Sequence, residues 1–355
     1  MSGRVVVAGS GIAGIEAVLG LGELAPDAEV VVVSPAHELL HHALGDVPSS
    51  MGGVTRYPLS RICAELGVER VTDVVVAVDA AASKVITRKH GELAYDALLV
   101  AVGARRVMSL DHALLFGSSL DVPAVENLLG LVRGGQARRL AVVVPASVAW
   151  SLPAYEVALR AAGAGGEAVV VATEDRPAQV FGDASHAVAE ALEAAGVERV
   201  DGRAVDIEPG CVVLADGTHV AADAIVALPW ARGPGVEGVP ADEDGFLTVD
   251  PYGSTGMEGV VAAGDGTTFP IRQGGVAAQQ GAVAAITLGR LLGADAEAVP
   301  FAPCLRGALP TAAGTLYLEH DLAAASARVS LDPLWDPPHR IAGVRLPALL
   351  ERLQG

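Results

Sequence analysis

The stretch Val5-Val6-Val7-Ala8-Gly9-Ser10-Gly11-Ile12-Ala13-Gly14-Ile15-Glu16-Ala17 decides how the rest of the chain is read. A β-branched run enters a G-x-G-x-x-G turn and a helix-forming run leaves it. This is the strand-then-helix context that a dinucleotide-binding turn requires. Gly9 permits the tight turn, Gly11 lets a pyrophosphate approach the backbone, and Gly14 lets the helix lie close to the strand. The free N–H groups at the helix start then face the phosphate charge. Ile12–Leu24 is the expected crossover helix. Glu29–Val33 follows as a near-continuous apolar run, the mark of a strand buried on both faces.

Further along, Pro35–Gly53 reads as a mostly irregular loop, Tyr57–Gly67 as a helix, and Thr72–Ile86 as two short strands around a turn. Ala97–Gly103 is another buried strand ending in glycine. A second α/β unit follows: strand Arg139–Val144, helix Pro153–Ala162, strand Ala168–Ala172, helix Ala184–Ala195 and strand Asp223–Leu228. Trp230–Pro240 is a candidate hinge. Glycine punctuation then returns in Gly259-Val260-Val261-Ala262-Ala263-Gly264-Asp265-Gly266, before a helix over Val276–Leu292. Ala298–Gly355 reads as a Pro-rich linker with two short elements, the last a weakly amphipathic helix over Ile341–Leu353 interrupted at Pro347.

The fold class is therefore α/β with two doubly wound domains. Glycine-strand signatures at opposite ends of the chain point to a discontinuous first domain, residues 1–112 with 236–300, around an insertion at 113–235 and followed by a C-terminal segment 301–355.

The composition bounds the partners. The 355 residues suffice for two medium domains, and 51% hydrophobic residues with 42 glycines suit a turn-rich α/β protein. A net charge of −18 disfavours nucleic acid and anionic membrane surfaces. No apolar run reaches the ~18 residues of a membrane span, and Val5–Ala8 is a strand rather than a signal peptide, so a cytoplasmic location is expected. Cys63, Cys211 and Cys304 form no close pair, which argues against a disulfide framework and a structural zinc site. His37-Glu38-Leu39-Leu40-His41 matches H-E-x-x-H. It sits between Pro35 and Pro48 with little room for the helix that pattern needs, so it is read as a loop or short helical turn and no metal is expected.

Four segments carry a family resemblance: Gly9–Ala17, Tyr95–Ala104, Pro145–Ala158 and Ala262–Asp265. Together they resemble the pyridine nucleotide-disulfide oxidoreductase superfamily of FAD proteins with two Rossmann-like domains. Phe269–Gln280 and Trp335–Gly343 look like its sulfide:quinone reductase and type 2 NADH dehydrogenase branch. The resemblance implies that Gly9, Gly11 and Gly14 hold the FAD pyrophosphate, with Gly103 and Gly264 beside it. It implies a hydrogen bond between Asp265 and a ribityl hydroxyl. The helix opening near Gly274-Gly275 would aim its dipole at the flavin. Arg272 is either a fixed positive charge there or a surface cation, and Gln273 is a weaker candidate.

Three departures from the family pattern stand out. Ser34 closes the second strand where an acid usually binds the ribose, leaving a hydroxyl for one hydrogen bond. Glu38 could substitute from the loop, although a solvated glutamate is the simpler reading. The middle domain reads Val144-Pro145-Ala146-Ser147-Val148-Ala149-Trp150-Ser151-Leu152-Pro153-Ala154 where a glycine-rich nicotinamide turn belongs, so side chains crowd a pyrophosphate and usual NAD(P)H binding is lost or weak. Glu174 could bind a ribose there, but surface placement is the default. The paired redox cysteines are also missing.

Trp150 and Tyr155 either line a pocket or pack the core, with packing favoured. The terminal apolar face packs on the domain or on a twin subunit, which leaves room for a homodimer. No catalytic residue can be named; His41, His42 and His320 are candidates by residue type alone. The expectation is an FAD-dependent oxidoreductase acting on a small organic molecule or quinone-like acceptor. A flavin-binding partner subunit and a peripheral NADH or sulfide:quinone reductase are the alternatives.

Overall fold

The computed structural model describes residues 3–42 and 53–354. Its N-terminal unit is a five-stranded sheet in the order Val260–Ala262, Ala97–Val100, Arg4–Ala8, Glu29–Val33, Glu69–Val71. Every pairing is parallel, with Val6 in register with both Val31 and Leu98. Val5, Val6, Val7 and Ala8 are wholly buried because helices cover one face and a second apolar layer the other, which explains the lack of alternation. Helix α1 (Ile12–Leu24) follows the first strand and α2 (Leu59–Leu66) precedes the edge strand.

The middle unit repeats the plan, with strands ordered Leu114–Leu115, Ala224–Ala227, Arg139–Val143, Glu167–Ala172, Glu198–Asp201, all parallel. It carries α3 (Val122–Arg133), α4 (Leu152–Gly163) and α5 (Ser185–Ala194). An antiparallel meander, Ala204–Glu208, Cys211–Leu214 and His219–Ala221, contributes Val212, Leu214 and Val220 to the core on one face. The two passages between the units pair antiparallel, Arg105–Val107 with Trp230–Arg232, so part of the expected hinge is a strand.

Helix α6 (Gly274–Leu291) returns to lie on α1. Glycine makes the approach possible: a Cβ at Gly281 would stand 2.4 Å from the Ala13 carbonyl oxygen, and one at Gly20 2.6 Å from the Ala285 Cβ.

Four local expectations are corrected. Glu38–His42 is a strand, not a loop or helical turn, because it pairs antiparallel with Val54–Pro58; positions 43–52 of the expected loop lie outside the described residues. Tyr57 and Pro58 belong to that second strand, so the helix expected from Tyr57 starts at Leu59. The C-terminal segment is more than a linker with two short elements: Cys304–Thr311, Gly314–Asp321 and Ser326–Ser330 form an antiparallel sheet. Gly307 and Pro310 interrupt its sequence pattern, yet Leu305, Leu309 and Leu318 bury themselves in the middle unit's core. Pro347 does not break the last helix. It stands in the first turn of α7 (Leu346–Gln354), where a missing N–H costs nothing. Leu349, Leu350 and Leu353 of α7 pack with Ile15, Leu59 and Ile62 of the same chain. Among the described residues no helix is long and apolar enough to cross a membrane.

Candidate nucleotide and substrate site

The first fingerprint residues meet at the C-terminal ends of the parallel strands, where open α/β sheets bind ligands. Gly9 has φ +114°, and a Cβ there would stand 2.1 Å from the Ala101 carbonyl oxygen. A Cβ at Gly14 would stand 2.2 Å from the Gly9 carbonyl oxygen, whereas one at Gly11 would meet nothing within 4 Å. Two glycines thus close the turn and the middle one faces open space. Gly11 caps α1 with no side-chain hydrogen bond, which leaves the helix start for an anion. Ser34 is buried beside this turn; its hydroxyl accepts from Ser10 Oγ at 2.8 Å and from the Ala36 N–H at 3.2 Å. Gly264 packs against Ala13, and Gly266 against the Gly103 carbonyl, so the distant Gly-Asp signature closes on the first turn. This geometry fits a dinucleotide.

Gln280, buried in α6, sets the Gly-Asp turn. Its Oε1 accepts from the Gly264 N–H at 2.6 Å and its Nε2 donates to Thr267 Oγ1 at 3.3 Å. Thr267 in turn donates to the Gly264 carbonyl at 3.0 Å. Asp265, held in this turn, accepts no hydrogen bond from the described residues. Burial pushes its pKa up to about 6, against the pull of Arg272. The Arg272 guanidinium lies 3.8 Å above the Phe246 ring and donates to the Pro270 carbonyl at 2.8 Å. Arg272 is half-buried near Asp265 rather than fully solvated. Gln273 is a helix cap: its Oε1 accepts from the Val276 N–H at 2.9 Å. Gly274 and Gly275 meet the C-terminal segment, for a Cβ at Gly274 would stand 2.9 Å from Ile341.

Asp265, Arg272 and Phe246 line one side of a cavity of about 680 Å³ whose other side is Ser147, Val148, Ala149, Trp150 and Pro153. Arg106 and Arg232 also line it, paired with Asp121 and Asp244 respectively. The altered middle turn therefore borders this cavity with side chains. Ser147 takes φ +72°, and Val148 N–H donates to the Pro145 carbonyl at 3.2 Å to close the turn. Glu174 is not a surface residue as expected. It accepts from Tyr155 Oη, from Ser151 Oγ at 3.1 Å and from the Ala178 N–H at 3.4 Å, and burial raises its pKa despite these donors. Tyr155 is core, whereas Trp150 both packs on Phe181, at 5.5 Å between ring centroids, and lines the cavity.

The remaining candidates lie elsewhere. Burial raises the Cys63 thiol on α2, and burial followed by Glu319 raises that of Cys304, so neither favours a thiolate. His37 and His41 flank extended chain, where four residues span roughly 13 Å, too far for one metal ion. Glu38 pairs with Arg56 at 2.9 Å, and the His41 ring meets that of His339 at 5.3 Å. His320 Nδ1 bonds the Val180 carbonyl at 2.6 Å. Neither His41 nor His320 lines the cavity, and the His42 side chain lies outside the described residues.

A strap over Arg340–Leu346 was not legible beforehand. At one end Arg340 clamps Glu156 of α4 at 2.5 and 3.0 Å, and Arg160 holds the same carboxylate at 2.8 Å. Burial would raise the Glu156 pKa, but the two guanidinium groups hold it below the usual carboxylate range. At the other end the buried Glu16 of α1 accepts from the N–H groups of Val344 at 2.7 Å, Arg345 at 2.9 Å and Leu346 at 3.0 Å. Its carboxylate thus sits at the start of α7, where the helix dipole favours it. Charged residues inside apolar helical runs were the available signal for Glu16 and Glu156, as an amide was for Gln280.

In comparisons with known proteins, the fold is similar to sulfide:quinone oxidoreductase from Aquifex aeolicus, with TM-score 0.81, 15% identity, and coverage of 92% of this chain and 87% of that one. It is also similar to a ferredoxin reductase from Rhodopseudomonas palustris, with TM-score 0.69, 20% identity and coverage of 90% and 83%. An NAD-dependent persulfide reductase from A. fulgidus follows with TM-score 0.67, 21% identity and coverage of 91% and 65%. No match is found among curated protein sequences. The family of pyridine nucleotide-disulphide oxidoreductases matches residues 3–282, which include both glycine signatures and the whole middle unit. On that match the chain belongs to the pyridine nucleotide-disulphide oxidoreductase family and is an FAD-dependent oxidoreductase.

Proposed function

We propose that the enzyme acts on a small organic molecule or quinone-like acceptor in the cavity between Asp265 and Trp150. Residues 1–112 and 236–300 then form the FAD domain, 113–235 supply the facing wall, and 301–355 close the site. Gly9, Gly11 and Gly14 take the pyrophosphate, Ser34 one ribose hydroxyl, and Asp265 a ribityl hydroxyl, with Gly103 and Gly264 keeping that floor free of side chains. Arg272 sets positive charge beside Asp265, while Gln273, Gly274 and Gly275 form the helix start next to them. When bound, FAD supplies the redox chemistry; the chain binds, orients and screens from water.

The observation that carries this reading is the cavity itself: Asp265 and Arg272 line it together with Trp150 and the other side chains of the turn where a nicotinamide would otherwise lie. The internal bonding of Glu174 argues against usual NAD(P)H binding. The likeness in fold to sulfide:quinone oxidoreductase supports a quinone-like acceptor, and the raised thiol pKa values weigh against a cysteine-based sulfide donor.

The test is anaerobic mixing of the FAD-loaded protein with NADH, NADPH, sulfide and quinols, following the flavin absorption. Slow or absent bleaching by the nicotinamides is expected, with faster response to an organic or quinol reductant. Rapid bleaching by NADH would overturn the reading of the 144–154 turn. The occupied Glu174 carboxylate also suits a second reading, a flavin-binding partner with little turnover. Photoreduction without response to any reductant would favour it.

A further inference from the structure

Glu208, Cys211 and His219 lie together on the meander of the middle unit and take no part in the redox reading. Alternation along Cys211–Leu214 turns Val212 and Leu214 into the core beside Val220, so Cys211 and His219 face outward. Glu208 pairs with Cys211 across the Pro209-Gly210 turn. Val213 pairs with His219 and Cys211 with Ala221, which sets His219 diagonally across from Cys211. One carboxylate oxygen, one sulfur and one imidazole nitrogen thereby lie within 4.8 Å of one another, with His219 Nε2 3.7 Å from a Glu208 oxygen.

The histidine is oriented by a second observation. Its Nδ1 lies 3.0 Å from the Gly217 carbonyl oxygen, a bond in which the nitrogen donates. That places a ring proton on Nδ1 and turns Nε2 toward Cys211 and Glu208. A ring N–H held by a backbone carbonyl behind the ligating nitrogen is the usual support of a metal-bound histidine. The Gly217 carbonyl is itself placed by a tight turn in which Asp216 accepts from the Thr218 N–H at 2.9 Å.

We propose that Glu208, Cys211 and His219 form a binding site for a divalent cation of the zinc class, with water in a fourth position. The mixed sulfur, nitrogen and oxygen set selects zinc-like ions over magnesium or calcium, which prefer all-oxygen shells. Bonds of about 2.0–2.3 Å in a tetrahedron bring ligands closer than they stand here, and the two exposed side chains can rotate inward to meet them. The Cys211 thiol gives its proton to solvent as the sulfur binds. The sequence spacing conceals the site because strand pairing, not helical periodicity, assembles it.

Zinc titration of the purified FAD-loaded protein against a chromophoric chelator, with peptide mass spectrometry after iodoacetamide labelling, tests the site. One zinc per chain is expected, with Cys211 protected from alkylation and labelling of Cys304 unchanged. Cys211→Ser and His219→Ala should each weaken binding at least tenfold while the flavin spectrum and melting temperature stay as in the parent. Equal zinc affinity in the variants, zinc uptake without protection of Cys211, or no uptake at all would overturn the proposal.

Discussion

Asp265 shows how far a single carboxyl group can report on ligand binding. With a folded-state pKa raised from 3.8 to about 6, it keeps its proton in the folded chain where the unfolded chain has lost it. The contribution of Asp265 to the stability of the flavin-free protein should therefore be fully present below the unfolded value and be lost as the pH rises through about 6. A ribityl hydroxyl donating to the ionised group favours the charged form, so FAD affinity should increase across the same window. Asp265→Asn should bind FAD about 10–100-fold more weakly, the range of one hydrogen bond to a charged group, and without that pH dependence. Flavin fluorescence titrations on either side of pH 6 measure both effects. The glycines separate in a different way. Gly11→Ala should leave the flavin-free melting temperature within the range of a neutral surface change and cut FAD affinity, because its Cβ meets only the open cradle. Gly9→Ala should unfold the protein at lower temperature, because its Cβ meets the Ala101 carbonyl at positive φ. The turn geometry at Gly9, Gly11 and Gly14 was legible because a G-x-G-x-x-G turn constrains the backbone itself. The seat of Arg272 on Phe246 was not, since the stacking partner lies 26 positions away in an unrelated loop.

At the scale of elements, α4 is a helix whose buried charge is balanced from another part of the chain. Glu156→Ala would remove the buried carboxylate shared by Arg160 and Arg340 and should lower the melting temperature. Because Glu156 has a lowered pKa, its stabilisation is present above 4.5 and is lost as the pH falls through the folded-state value; the difference in stability between parent and variant should shrink accordingly in acid. The parallel strands were legible, since Val5–Ala8 and Glu29–Val33 are apolar runs that only a doubly covered sheet accommodates. Short antiparallel strands were less so. Glu38–His42 carries histidines and a glutamate, and only its partner Val54–Pro58 makes it a strand. Cys304–Thr311 hides behind a glycine and a proline that ordinarily end strands.

For the molecule as a whole, the recurrence of a glycine-ended strand late in the sequence made the return of Val260–Ala262 to the first sheet foreseeable. The strap was not, because it depends on two glutamates finding donors far along the chain. Glu16→Ala should free α7 from α1, lower stability by about 1.5–3 kcal/mol, and open residues 340–354 to limited proteolysis. Glu16→Gln, which keeps an acceptor oxygen, should do less. This arrangement also bears on synthesis. Glu16 and Val344 stand 328 positions apart, and Glu156 and Arg340 184 apart. Until residues 340–346 have been made, both carboxylates wait without these donors, and burying them early would carry a desolvation penalty. The earlier-made halves should consequently stay loosely joined until the strap is synthesised, so that its docking, rather than completion of either sheet, sets the moment of closure.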